Sequence, residues 1–329
     1  MNLPPEFIST IRNTYGQDGE KFLATLPESI SEASARWGLT DVRPVPNLSY
    51  NFVAFALSGA GPQSERSRRV VLKMGVPNRE FTSEMTALRL FNGNGACRLI
   101  DYEESKYWML LERLQPGVML ATLENDEEAT HIAAEVMQKI WRSPAPAPGA
   151  SVEGGTTNTF LRSARAKFIK LSDWFDGLKR LRGMFNGGTG PLGEKLVTRV
   201  ERSVKEFFAE DHQPVLMHGD FHHFNILSSE RGWLIIDPKG VLGPACYEVG
   251  PLLMNPWRDL LRGKDYRRLT RRRIDILHEH LGFERARLRE WGLAHAVLSA
   301  WWGIEDNTGW EYSLAFAEMI AALDWRSAS

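Results

Sequence analysis

The run His218-Gly219-Asp220-Phe221-His222-His223-Phe224-Asn225, followed after a short hairpin pattern by Ile235-Ile236-Asp237-Pro238, spaces three polar side chains as phosphoryl transfer requires. Moving a γ-phosphoryl group needs in-line placement of the acceptor hydroxyl and neutralisation of charge on the phosphate oxygens. Asp220 is read as the group that orients the acceptor hydroxyl or takes its proton. Asn225 and Asp237 offer hard oxygens suited to Mg²⁺, which retains waters and binds substrate phosphates. An isolated Asp-x-x-x-x-Asn is a weak signal. It becomes a strong one beside the apolar approach Pro214-Val215-Leu216-Met217, the strand opened by Asn225-Ile226-Leu227, and the strand Trp233 to Ile236 that ends at Asp237.

Such a site needs a partner set for the nucleotide, and the first third of the chain supplies one. From Ser49 the pattern turns strand-like through Tyr50, Phe52 and Phe55, a Gly/Pro/Ser loop runs from Ser58 to Ser67, and Val70-Val71-Leu72-Lys73 reads as a second strand. Asn78 caps a helix from Glu80 to Phe91, whose Phe81, Met85 and Leu88 stripe carries Glu84 at its margin. Lys73 at the strand end would pair the α/β-phosphates of ATP, with Glu84 as its ion-pair partner and Glu80, one turn earlier, as the competing choice. Alone, Lys73 would read as a surface strand lysine; the downstream motif changes that. No G-x-G-x-x-G follows the first strand, so phosphate cradling falls to Ser49-Tyr50-Asn51. Strands from Cys97 to Tyr102 and Trp108 to Leu114 flank a turn at Glu103-Glu104-Ser105-Lys106, and at Glu112-Arg113-Leu114 an adenine would bond to the backbone, making Glu112 and Leu114 the nucleotide-binding positions there.

These elements predict an α+β chain with a boundary at Pro116-Gly117: a nucleotide-binding lobe over 1–115, and a larger, mainly helical catalytic and acceptor-binding lobe over 116–329. The first 45 residues read as one or two short helices around Phe22, Leu23 and Ala33 to Trp37, closed by Arg43-Pro44-Val45-Pro46. Later helices are expected from Glu127 to Trp141, Thr157 to Leu181, Leu192 to Phe208, Arg267 to Leu281, Arg285 to Trp302 and Tyr312 to Asp324, with Pro144 to Gly149 as a semi-rigid linker.

Forty basic against 41 acidic residues remove the overall drive toward nucleic acid or anionic membranes. The polar, proline-broken start and the lack of a long apolar segment argue against secretion and membrane insertion. Two distant cysteines, Cys97 and Cys246, fit a reducing cytoplasm. The basic run Arg262 to Arg273, interleaved with Tyr266, Leu269, Ile274 and Leu277, reads as an amphipathic helix with a solvated basic face.

The segment His-Gly-Asp-Phe-His-His-Phe-Asn-Ile-Leu, with Gly-Trp-Leu-Ile-Ile-Asp-Pro-Lys-Gly after it, resembles the aminoglycoside/hydroxyurea antibiotic resistance kinase family, which includes streptomycin 6-kinases. The resemblance implies a protein-kinase-like bilobal fold whose N-terminal lobe is a small antiparallel sheet with one main helix. It also implies ATP and Mg²⁺ as cofactors, Asp220 as the catalytic residue, Asn225 and Asp237 as metal ligands, and Lys73 with Glu84 as the phosphate-pairing couple. Lys239 falls in a family motif and would place an ammonium beside phosphates. Gly219 stands where protein kinases carry the Arg that holds a phosphorylated activation loop, Pro238 replaces the Phe after the metal Asp, and little chain separates Asp237 from Tyr247-Glu248. A small-molecule acceptor follows, without loop phosphorylation as a switch.

Trp301-Trp302-Gly303-Ile304-Glu305-Asp306 sets two carboxylates after two indoles, which suits a cationic acceptor such as a streptomycin-like aminoglycoside; Trp301, Glu305 and Asp306 are the acceptor candidates, with Asp173 and Asp176 behind them. The same segment also reads as a buried Trp pair before a solvated turn. A hydroxyurea or small-metabolite kinase is the alternative acceptor reading. Two other classes stay open: a non-catalytic nucleotide-binding protein, and a metallohydrolase built on His218, Asp220, His222 and His223.

Overall fold

Side chains alternate across a strand, so a lysine needed at a site must share parity with residues that do not enter the core. The computed structural model, which describes residues 3–59, 67–141, 164–210, 213–256 and 265–324, shows how this chain arranges it. The chain divides into two units, Met1–Gly117 and Val118–Ser329. The first carries a five-stranded antiparallel sheet in the order β1-β2-β3-β5-β4, formed by β1 (Leu39–Pro44), β2 (Phe52–Ser58), β3 (Arg68–Met74), β4 (Leu99–Glu103) and β5 (Trp108–Glu112). Phe52, Ala54 and Ala56 of β2, Val70, Leu72 and Met74 of β3, and Trp108 and Leu110 of β5 join one core with Phe7, Ile11, Leu26 and Ala33 of helix α1. Lys73 has the opposite parity, in register with Val53 and Met109.

Helix α1 (Pro5–Trp37) departs from the short helices expected: it runs for 33 residues and kinks at Gly16, whose φ of 53° and ψ of −124° only glycine takes easily. The Arg43-Pro44 stretch, expected to close a helical leader, is the end of β1; Pro44 is tolerated because β1 is an edge strand. Helix α2 (Arg79–Phe91) forms as its sequence indicates, with Asn78 Oδ1 accepting the Phe81 N–H at 2.8 Å.

The second unit is mainly helical, with α3 (Asp126–Ile140) and the helices Glu194–Ala209, Tyr266–Leu281, Arg285–Glu305 and Glu311–Ala321. The helix Arg285–Glu305 is buried on most sides, at Leu288, Trp291, His295 and Trp301 among others. Two small sheets carry the motif: β8 (Val215–Met217) pairs antiparallel with β11 (Val241–Gly243), while β9 (Ile226–Ser229) and β10 (Gly232–Ile235) form the hairpin. The single helix expected from Thr157 to Leu181 is instead broken where described, because Ile169 and Lys170 pair with β11 before helices Leu171–Phe175 and Gly177–Met184. The Pro144 to Gly149 linker lies outside the described residues. Among the described residues no helix is long and apolar enough to cross a membrane.

The basic run needs correction at its end. Arg273 is fully buried, not solvated: it pairs with Asp126 and donates to the carbonyls of Leu252, Leu253 and Asn255. Burial opposes its charge, but the Asp126 carboxylate outweighs that and raises its pKa. Arg273→Ala should therefore destabilise the protein by about 3–5 kcal/mol, since it strands Asp126 and three carbonyls. Thermal and denaturant unfolding would measure this, and a solvated arginine would change little.

Candidate active site

Strand β8 ends at a turn whose backbone amides converge on one buried carboxylate. Glu248 Oε2 accepts the His218 N–H at 2.7 Å and Oε1 accepts the Gly219 N–H at 2.8 Å. Burial pushes the Glu248 carboxyl up to about 8 against the opposing pull of those two amides. His218 continues the brace. Its Nδ1 accepts the Asp220 N–H at 3.2 Å, which assigns the proton to Nε2, and Nε2–H donates to the Ile236 carbonyl at 2.9 Å. Two backbone bonds stitch the same segments together, Lys239 N–H to His218 O at 2.7 Å and Ile236 N–H to Asn225 O at 2.9 Å. Gly219 is required: its φ is +87°, and a Cβ there would come within 2.4 Å of Val241 Cγ2. Asp237 also adopts a left-handed conformation, with φ 56°.

Asp220 keeps 40% of its side chain exposed, and its Oδ2 lies 3.6 Å from His222 Nε2. Desolvation works to raise its pKa, but the charges of His222 and Lys239 hold the carboxyl well below the usual range. It is therefore an ionised acceptor at neutral pH. Asn225 Nδ2 donates to the Asp220 carbonyl at 3.1 Å, which leaves Oδ1 as its hard oxygen. Asn225 Oδ1 and the Asp237 carboxylate are hard oxygen donors of the kind that would suit Mg²⁺, whose remaining ligands would come from water and phosphate.

In the first unit, Lys73 Nζ is gripped by both oxygens of Glu84, at 2.6 and 2.7 Å, with both residues buried. Glu112 turns its carboxylate away to accept the Arg98 N–H at 3.0 Å, and Leu114 is buried. At Ser49-Tyr50-Asn51, Tyr50 is exposed, while Asn51 Oδ1 is buried with no hydrogen-bond partner among the described residues.

Asp176, Trp301 and Glu305 gather around Arg180 and Gly177, but they are engaged or buried. Glu305 is chelated by Arg180 at 2.6 and 2.9 Å. Asp306 is exposed, with its pKa raised by partial desolvation and by Glu305. Trp301 is buried in the core, Asp176 pairs with Lys179 at 2.7 Å, and Asp173 lies in helix Leu171–Phe175. The three histidines do not converge. His218 spends both ring nitrogens on backbone and His223 is buried without side-chain hydrogen bonds among the described residues, so they do not form the ligand set of a metallohydrolase. Among the described residues no group of three His, Cys, Asp or Glu side chains is placed to hold a metal.

Sequence reasoning missed Glu248, although a glutamate inside the apolar run Ala245-Cys246-Tyr247 and Val249-Gly250 signals a charge buried for a purpose. It also passed over Trp174, whose ring edge lies against Gly219.

The model of a family described as aminoglycoside/hydroxyurea antibiotic resistance kinase matches residues 63–307. A streptomycin 6-kinase of Streptomyces griseus is 30% identical, covering 93% of this chain and 92% of the relative. A hydroxyurea phosphotransferase of Kitasatospora aureofaciens is 28% identical over 93% of this chain and 82% of its own. Among solved structures, a choline kinase of Streptococcus pneumoniae shares the fold with a TM-score of 0.58 at 11% identity, covering 91% of this chain and 99% of that one. An aminoglycoside phosphotransferase in ternary complex with ADP and hygromycin B gives 0.54 at 15% identity, covering 88% and 96%. These likenesses give the chain a protein-kinase-like fold.

The buried imidazoles set a pH signature. Desolvation pushes His218 and His295 down to about 4, whereas an unfolded chain protonates histidine near ~6.5. Between these values the unfolded state binds more protons, so this contribution is complete above the upper value and is lost as pH falls through the window. Glu248 adds the opposite slope, since its raised pKa favours the folded state at low pH. The difference between variants isolates the histidine. His295→Gln should flatten the fall in melting temperature between pH 7 and pH 4.5, removing about 3 kcal/mol of pH-dependent stability. A parallel pH profile would show that His295 titrates normally in the fold.

Proposed function

The chain belongs to the aminoglycoside/hydroxyurea antibiotic resistance kinase family, and from that membership we propose that it moves the γ-phosphoryl group of ATP to a hydroxyl of a small cationic molecule, a streptomycin-like aminoglycoside. The observation that carries the reading is Asp220, an ionised and partly exposed carboxylate fixed beside Asn225 by the Glu248-held turn. Asp220 orients the acceptor hydroxyl and takes its proton as the bond to phosphorus forms. Asn225 and Asp237 would hold Mg²⁺, which when bound neutralises charge on the phosphates. Lys73, kept in place by Glu84, is assigned to the α/β-phosphates, and the backbone at Glu112 and Leu114 to the adenine.

The chain after Asp237 supports a small acceptor. It enters β11 at Val241 and reaches the Ala245–Glu248 turn at once, with no segment on which to lay a peptide. Hydroxyurea is the second acceptor reading, favoured by the hydroxyurea phosphotransferase among the relatives. Cys97 and Cys246 are both buried and form no disulfide, in keeping with a cytoplasmic enzyme.

Purified protein with ATP, Mg²⁺ and either streptomycin or hydroxyurea should yield a phosphorylated product. Asp220→Asn should lower kcat by about 10³-fold while nucleotide affinity is kept. No product from a panel of aminoglycosides, hydroxyurea and common hydroxyl metabolites would refute the reading.

A further inference from the structure

Two of the carboxylates expected to receive a cationic acceptor are engaged by the protein's own cations, Glu305 by Arg180 and Asp176 by Lys179. What lies against the catalytic turn is aromatic. Trp174 Cη2 is 3.0 Å from the position of a Cβ on Gly219, the residue before Asp220. The Trp174 ring meets Trp302 nearly at a right angle, with centroids 5.3 Å apart and planes at 85°. It also meets Tyr247 edge-on at 6.2 Å. Trp302 contacts the ring of His295 at 6.3 Å, and His295 Nδ1 lies 3.0 Å from the Tyr247 hydroxyl.

Burial separates this group into a wall and a face. Tyr247 and His295 are buried and bonded to each other, and Trp301, the neighbour of Trp302 in sequence, is buried as well. Trp174 and Trp302 are only half-buried, and neither indole N–H has a hydrogen-bond partner among the described residues. Indole faces carry the strongest negative quadrupole among side chains and attract guanidinium and ammonium groups.

We propose that Trp174 and Trp302 form the cation subsite of the acceptor, holding a guanidinium or ammonium group against indole while the hydroxyl to be phosphorylated reaches Asp220. The inference rests on the kinase reading above and adds to it the residues that select a cationic acceptor. It replaces Trp301, which is buried, by its neighbour Trp302. Hydroxyurea, which carries no cation, would gain nothing from this corner.

The test is calorimetric titration of streptomycin into the full-length protein and its Trp302→Leu, Trp302→Phe and Trp174→Leu variants, each checked for folding by thermal melting and nucleotide binding. The leucine variants should raise the Kd about tenfold, and Trp302→Phe, which keeps a π face, by no more than about threefold. Leucine variants that bind within twofold of the wild type, a phenylalanine variant as weak as leucine, or a wild type that does not bind streptomycin would each overturn the subsite. Should Trp174→Leu fail to fold, the Trp302 pair of variants decides. Parallel transfer assays separate the two claims. Streptomycin bound through the tryptophans but never phosphorylated would defeat the kinase reading alone, whereas phosphorylation with unchanged affinity in the leucine variants would defeat the subsite alone.

Discussion

A fully buried carboxylate holding two backbone amides organises the catalytic unit. Burying Glu248 away from water carries a large penalty, and the His218 and Gly219 N–H groups offset it only if the turn takes one conformation. That requirement dictates glycine at 219, whose positive φ and close approach to Val241 leave no room for a side chain. It also sets His218 so that one ring nitrogen receives the Asp220 amide and the other reaches Ile236, next to Asp237. One interaction thereby fixes the backbone of both the Asp220 and the Asp237 segments.

The first unit meets a parallel constraint in a different way. Strand parity separates the α1-covered core from Lys73, and Glu84 on α2 fixes the ammonium with two short bonds in a buried setting. Buried pairs of this kind give geometric definition more than stability. The Arg273–Asp126 pair does the same for α3 and the helix Tyr266–Leu281, far along the chain from the chemistry.

The residues proposed to carry the chemistry stand out in the sequence because they are local. Asp220, Asn225 and Asp237 lie within one hairpin's length, and Lys73 and Glu84 are joined by an N-capped helix with a clear apolar stripe. What escaped depends on contacts distant in sequence. Glu248 acts 29 and 30 residues from the amides it accepts, Arg273 finds Asp126 at a separation of 147, and Arg180 claims Glu305 across 125. The length of the kinked α1 and the β1 strand were missed because prolines and glycines mark breaks without saying whether tertiary packing bridges them.

The most direct measurement compares ATP-dependent phosphorylation of streptomycin by the wild type and Glu248→Gln, alongside their nucleotide affinities. Replacing one accepting oxygen with an amide that faces a backbone N–H displaces the turn but leaves every side chain assigned to the nucleotide or the metal unchanged. A fall in kcat of about 10²-fold with nucleotide Kd held within about twofold is the expected result. Wild-type kcat in a folded Glu248→Gln variant would contradict the role given to the buried carboxylate.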